Sequence, residues 1–258
     1  MTARSAPMIE FKLNGRRALV TGSASGIGFA TAALLARSGA RVALNDLPGA
    51  PLAAAVERLK LEGLAVEAAP GDLGAAVSAR QAAMHALDTL GGLDYLVNNA
   101  GAPFTRAPIP PSDLEALTED FWDRILRVNL LSAFWMTQAL AGALKATRGA
   151  VVNTVSVSAF GGGASSTAYA AAKAGLAALT RELARGLAPA VRVNGIAPGY
   201  VNSNWQCSFG DLEALARSNV PLARVGQPED YAELIAFLCA GASYVTGEVI
   251  PITGGVRL

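Results

Sequence analysis

The chain has 258 residues, enough for one α/β domain with a substantial core, and Lys plus Arg (21) nearly balance Asp plus Glu (20). That balance leaves no global field to hold nucleic acid or an anionic membrane surface, which points to a small-molecule partner. Cys207 and Cys239 lack CxxC or zinc-ligand spacing and read as reduced packing residues; with His85 as the only histidine, no metal site is expected.

The opening MTARSAPMIEFKLNG has no continuous apolar stretch of the secretory kind, so residues 1–10 read as a short disordered extension and 11–258 as one domain. RRALVTG (16–22) reads as a strand, GIGFATAALLARSG (26–39) as a helix ended by glycine, and RVALND (41–46) as a second strand. A helix near 50–62, a strand at LAVEAAP, a helix near 75–90 and a strand at LDYLVNNAG repeat the pattern. A helix over 118–145, a strand at GAVVNTVS, a helix over 167–187 and a strand at VRVNGIAPG complete it. Apolar strands alternating with helices predict a doubly wound α/β fold, a parallel sheet with helices on both faces. Residues 149–172 carry no charge, but their Gly, Ser, Thr and Asn break any apolar span of bilayer length; no membrane partner is expected, and the chain reads as cytoplasmic.

The first strand-to-helix turn is TGSASGIG (21–28). Gly22 permits a sharp turn, Gly26 a close approach of backbone to a ligand, and Gly28 tight packing of helix on strand. A phosphate would sit against the free amides at the helix start. Asp46, 20 residues after Gly26 at the end of the second strand, is placed to accept hydrogen bonds from a ribose diol and to repel a 2'-phosphate. Ser25 and Leu47, the neighbouring positions, carry no positive charge, so NAD is favoured over NADP.

STAYAAAK (166–173) places Tyr169 and Lys173 four residues apart, on one face of the predicted helix. A cation about 4 Å from a phenol is worth up to roughly 4 kcal/mol toward the phenolate at an effective dielectric near 20. On that reading Tyr169 exchanges a proton with a substrate oxygen near neutral pH, with an apparent pKa below that of a free phenol.

These motifs, with Asp72 after the third strand, NNAG at 98, Asn129, Ser156 and PGYVNS at 198, resemble the short-chain dehydrogenases/reductases over residues 11–256. The resemblance implies a single-domain Rossmann fold and a hydride-transferring oxidoreductase acting on a secondary alcohol or ketone. Tyr169 would be the general acid/base, Ser156 would orient the substrate oxygen, Lys173 would also bind the nicotinamide ribose, and Asn129 would extend a proton path through water. The cofactor would be held by Gly22, Ser25, Gly26, Ile27, Gly28 and Asp46, with Asp72 and Leu73 at the adenine. Asn98, Ala100 and Gly101 would lie beside it, and Pro198, Gly199, Val201 and Ser203 would stand near the carboxamide. Ser158 is a neighbour that could be mistaken for Ser156. Trp205, Cys207 and Phe209 read as a substrate lid, His85 as a solvated helix residue, and Trp122, Trp135 and Met136 as packing. Family members of this kind assemble as homotetramers or homodimers, which is the expectation here. A nonredox sugar-nucleotide epimerase and a noncatalytic dinucleotide sensor are the alternative readings; polyol, 3-oxoacyl and cyclic-alcohol substrates all remain open.

Overall fold

In the computed structural model, which describes residues 10–161, 163–205 and 207–256, the predicted alternation becomes a sheet of seven parallel strands. They are β1 Arg17–Thr21, β2 Arg41–Asn45, β3 Val66–Ala68, β4 Tyr95–Asn98, β5 Ala150–Thr154, β6 Arg192–Pro198 and β7 Val249–Ile252. The helices are α1 Gly26–Arg37, α2 Ala50–Leu61, α3 Ala76–Leu90, α4 Glu119–Leu126, α5 Ser132–Thr147, α6 Thr167–Leu187, α7 Leu212–Asn219 and α8 Pro228–Ala240. Spatial order is β3, β2, β1, β4, β5, β6, β7. The chain therefore winds outward from β1 in one direction and from β4 in the other, leaving a crevice at the carboxyl ends where the two halves part.

Period-two alternation sorts the strand side chains. Val20, Leu44, Val97, Val152 and Ile196 pack toward α1, α2 and α8, while Leu19, Ala43, Leu96, Val151 and Val193 pack toward α3 and α5. Both faces are buried, which is why the strands read as nearly continuous apolar runs. Each fully buried Leu or Val contributes about 1.5–3 kcal/mol. Polar pins fix the pairing at either end. Buried Asp94 accepts from the Arg17 amide (3.0 Å) and Nε (2.9 Å) and from Arg16 (3.0 Å) at the amino end of β1 and β4. At the carboxyl end Asn98 Nδ2 donates to Asn153 Oδ1 (2.9 Å), whose Nδ2 donates to Thr180 Oγ1 on α6 (2.9 Å).

Three differences from the predicted elements stand out. The helix expected over 118–145 is α4 and α5 joined by a π-turn at Arg127–Leu131. In such a turn amides shift from i−4 to i−5 partners, and Asn129 Nδ2 donates to the Ile125 carbonyl one ordinary turn back (3.0 Å). A 3-10 turn, Val157–Phe160, follows β5. Beyond β6 the chain forms α7, α8 and β7, none of them anticipated, although Gln227 and Asp230 make a capping box at the start of α8, with Pro228 at its first position. Residues 1–9 of the expected N-terminal extension lie outside the described residues. His85 is exposed on α3, as expected, and Met136 is fully buried.

A Cβ on Gly28 would collide with the Gly22 carbonyl and come within 2.6 Å of Asn99 Nδ2, whereas one on Gly186 in α6 would meet nothing within 4 Å. Gly28→Ala is expected to cost about 1–3 kcal/mol through overpacking. Gly186→Ala is expected to add about 0.5–1 kcal/mol. Urea unfolding midpoints check both.

Candidate active site

A cavity of about 1380 Å³ occupies the crevice at the carboxyl ends of the strands. Its first end is built by the turn from β1 to α1. Gly22 (φ +61°) and Gly26 (φ +56°) adopt left-handed backbone that other residues rarely take. Ser25 precedes α1 without giving a side-chain cap. The first amides of the helix, at Gly26 and Ile27, therefore face the cavity as an anion site of the kind that pyrophosphates occupy. Asp46 closes this end. Its oxygens accept from the Ala24 amide (2.9 Å) and the Leu47 amide (2.8 Å), which holds the carboxylate beside the glycine turn with lone pairs to spare. Asp72 and Leu73, after β3, complete the wall.

The second end is built by the 3-10 turn after β5 and the first turns of α6. Ser166 caps α6 by accepting from the Tyr169 amide (3.1 Å), which fixes where the tyrosine leaves the helix. Lys173, one turn on, is buried and its Nζ donates to the Thr154 carbonyl (2.9 Å). Burial pushes the Lys173 ammonium down to about 7. Burial also pushes the Tyr169 phenol above its ordinary value, and its hydrogen bond with Ser156 only partly opposes this. The expectation of a phenol depressed by a neighbouring cation is therefore corrected. With protein groups alone around it, Tyr169 is a neutral acid, because losing water costs the phenolate more than the Ser156 hydrogen bond returns.

Ser156 owes its orientation to Ser158. Ser156 Oγ accepts from the Ser158 amide (3.2 Å) and from Ser158 Oγ (2.9 Å). A hydroxyl has two acceptor sites and one donor, so with both acceptor sites engaged Ser156 is left to donate. The neighbour set aside in the sequence is thus the group that directs the serine beside it.

The other expected residues line the cavity, with three exceptions: Gly28, Asn98 and Asn129. Gly28 packs beneath the turn against Gly22 and Asn99. Asn98 is spent on Asn153 and Thr137 inside the sheet, and Asn99 faces the cavity instead. Asn99 Nδ2 donates to the Thr21 and Gly22 carbonyls (3.1 and 3.0 Å), bracing the glycine turn. Asn129 Oδ1 accepts from the Ala102 amide (3.1 Å) and its Nδ2 donates to the Ala102 and Ile125 carbonyls. Its polar atoms hold the loop after β4. Gly101 makes the close approach possible, since a Cβ there would lie 2.9 Å from Asn129 Oδ1 and 3.5 Å from Lys173 Nζ.

Trp205 meets the Tyr169 ring edge-on at 5.7 Å, and the Ser208 amide donates to the Arg106 carbonyl (2.9 Å). The expected lid residues Trp205, Cys207 and Phe209 therefore line the cavity, tied to the loop that follows β4. Both cysteines are free and buried.

A glycine turn opening a helix, an acid at the end of β2, and a serine, tyrosine and lysine gathered at one crevice define a dinucleotide-dependent catalyst. The comparisons agree with that geometry. Residues 22–257 match the family model described as Enoyl-(Acyl carrier protein) reductase. The chain is 35% identical over 253 residues to the 3-oxoacyl-[acyl-carrier-protein] reductase FabG of Aquifex aeolicus, covering 96% of this chain and all of that one. A short chain dehydrogenase from Burkholderia cenocepacia J2315 in complex with NADP superposes with a TM-score of 0.86 at 34% identity, over 96% of this chain and 100% of that one. A 7 alpha-hydroxysteroid dehydrogenase complexed with NADH and 7-oxo glycochenodeoxycholic acid gives 0.87 at 29% identity, over 96% of both. The chain belongs to the short-chain dehydrogenase/reductase family of NAD(P)-dependent oxidoreductases.

If Ser158 directs the Ser156 proton, Ser158→Ala should lower kcat about 3- to 30-fold with little change in KM for the cofactor, and Ser158→Thr should restore most of it. Steady-state kinetics of the three proteins check this.

Proposed function

We propose that the protein interconverts a secondary alcohol and a ketone, with NAD the preferred cofactor, NADP less favoured, and Tyr169 the general acid/base. The observation that carries this reading is the convergence of Ser156, Tyr169 and Lys173 at one end of a cavity whose other end presents free helix amides and Asp46. The nicotinamide, when bound, supplies or receives the hydride at the substrate carbon.

The chain's own residues handle the oxygen and its proton. Ser156 donates a hydrogen bond to the substrate oxygen. In the reductive direction Tyr169 gives its phenolic proton to that oxygen as charge develops on it, so the product is the neutral alcohol. The resulting phenolate is compensated by protonated Lys173, whose buried stem holds it to the Thr154 carbonyl. In the oxidative direction the same proton passes from alcohol to Tyr169, so that direction is expected to speed up as pH rises. Asn129 supports these steps from behind, by holding the loop that carries Gly101 against Lys173. Gly28 and Asn98 likewise serve the cofactor indirectly, through the turn and the sheet.

Cofactor choice rests on Asp46, which faces the cavity with no positively charged residue at Ser25 or Leu47. Asp72 and Leu73 are assigned to the adenine, and Val201 and Ser203, behind Pro198 and Gly199, to the carboxamide. The lid and the loop after β4 select the substrate. Assembly as a homotetramer or homodimer is supported by Leu131 and Phe134 near the start of α5, which remain exposed on the single chain. Among the described residues no helix is long and apolar enough to cross a membrane, and we assign the protein to the cytoplasm.

Tyr169→Phe keeps the ring against Trp205 and removes the proton, so turnover should fall at least about 10²-fold while NAD affinity changes little. NADH absorbance with a panel of secondary alcohols, together with fluorescence titration of NADH, separates the two effects; near-normal turnover in the folded variant would overturn the assignment. Asp46→Ala should weaken NAD and strengthen NADP, narrowing the ratio of their kcat/KM values by about tenfold or more. Wild-type protein already favouring NADP would contradict that reading.

A further inference from the structure

The substrate end of the cavity has a charge pattern that the reaction itself does not require. The carboxylates lining the cavity, among the described residues, are Asp46 and Asp72, both at the dinucleotide end. The segments beside Tyr169 line the cavity with Phe104, Trp205 and Phe209, and with the uncharged polar Ser165, Asn204 and Ser208. Phe104 packs into the same apolar cluster as Tyr169 and Ile125. It is held there with φ +51°, a conformation uncommon for a bulky residue and one that recurs at functional sites.

Phe104 also carries a cation on its ring. The Arg124 guanidinium lies over the Phe104 ring, 4.5 Å from its centroid. Arg124 and Phe104 line both the main cavity and a smaller one of about 600 Å³ that Thr105 and Arg106 complete. Among the described residues Arg124 has one ion-pair partner, Asp120, at 4.0 Å and 82% exposed, a pair worth little in water. Arg106 is exposed, and among the described residues its guanidinium has no hydrogen bond or ion pair, although its carbonyl ties the lid through Ser208. The third arginine of this wall, Arg127, is already engaged by Asp123 at 2.6 Å. Arg124, shared by the two cavities and only weakly paired, and Arg106, which lines the smaller one, thus bring two guanidinium groups beside the cavity that holds the proton donor.

We infer that the substrate of this site is an apolar ring or chain that ends in an anionic group, a carboxylate or a phosphate, bound by Arg124 and Arg106 while its carbonyl or hydroxyl reaches Tyr169. Guanidinium groups recognise such oxyanions through paired N–H donors. The aromatic wall takes the body, with Trp205 against one edge of the reacting region. A free polyol is disfavoured, because among the described residues no carboxylate stands at this end to accept from several hydroxyls. The assignment of the reacting end rests on the oxidoreductase reading, whereas the anionic tail rests on the arginines alone.

The test uses a series of cyclohexanols carrying a carboxylate on a linker of graded length, each paired with its neutral carboxamide, and a matching phosphate monoester. Affinity is measured by calorimetry at saturating NAD, and turnover by NADH absorbance on the same compounds. At the best linker length the carboxylate or the phosphate should bind at least about tenfold more tightly than the carboxamide, and 0.5 M NaCl should reduce that ratio. In the Arg124→Ala, Arg106→Ala double variant the ratio should fall to about one, and in Arg124→Lys it should be intermediate. The stronger of the two anions names the natural tail. Anions no better than carboxamides at every length, or a preference that survives the double variant, would overturn the inference. Arginine-dependent anion binding without NADH formation would leave the tail assigned and overturn the redox reading instead.

Discussion

A lysine buried without a counter-ion is the constraint around which this crevice is arranged. Among the described residues the Lys173 ammonium meets no carboxylate; it donates to the Thr154 carbonyl at 2.9 Å and lies 5.7 Å from the centroid of the Tyr169 ring. Its displacement from 10.5 to about 7 corresponds to roughly 5 kcal/mol at about 1.4 kcal/mol per pH unit, a large fraction of the stability of an ordinary domain. The fold tolerates that cost because β5 brings its last carbonyl to the helix that carries the lysine. Gly101 adds no side chain to crowd it, and Asn129 draws the loop in from behind.

The same burial gives the tyrosine its character. Proximity of a cation to a phenol is legible from STAYAAAK, and on that basis a lowered phenol pKa follows. Desolvation reverses the sign once the wall of Trp205, Phe104 and Ile125 is in place. Spacing along a helix says which groups meet, whereas the sign of a pKa shift depends on how much water the surrounding chain removes. That surrounding chain comes from segments distant in sequence.

Much of the architecture was legible because it is written in local periodicity: apolar strands, helices of expected length, and glycines where φ turns positive. The site residues on the carboxyl ends of strands were legible for the same reason. Asn98 and Asn129 were harder, since an asparagine that braces backbone and one that faces a ligand look alike in a string of letters. Ser158 was passed over because its contribution is a hydrogen bond to another serine, visible only after the 3-10 turn folds. The last two helices and β7 were missed although α8 begins with a capping box; β7 is short and contains Pro251, which hides its strand character.

The central claim, that Lys173 is held in the fold largely stripped of water, is tested most directly by thermal unfolding against pH for the wild type and Lys173→Met. With a folded pKa near 7 and an ordinary value of 10.5, the unfolded chain binds the additional proton between those limits, so stability rises with pH across that window. Above about pH 10 the raised pKa of Tyr169 acts in the opposite sense, and it does so in both proteins. The Tm of the wild type should therefore climb relative to that of Lys173→Met between pH 7 and 9.5. Parallel curves over that range would contradict the account.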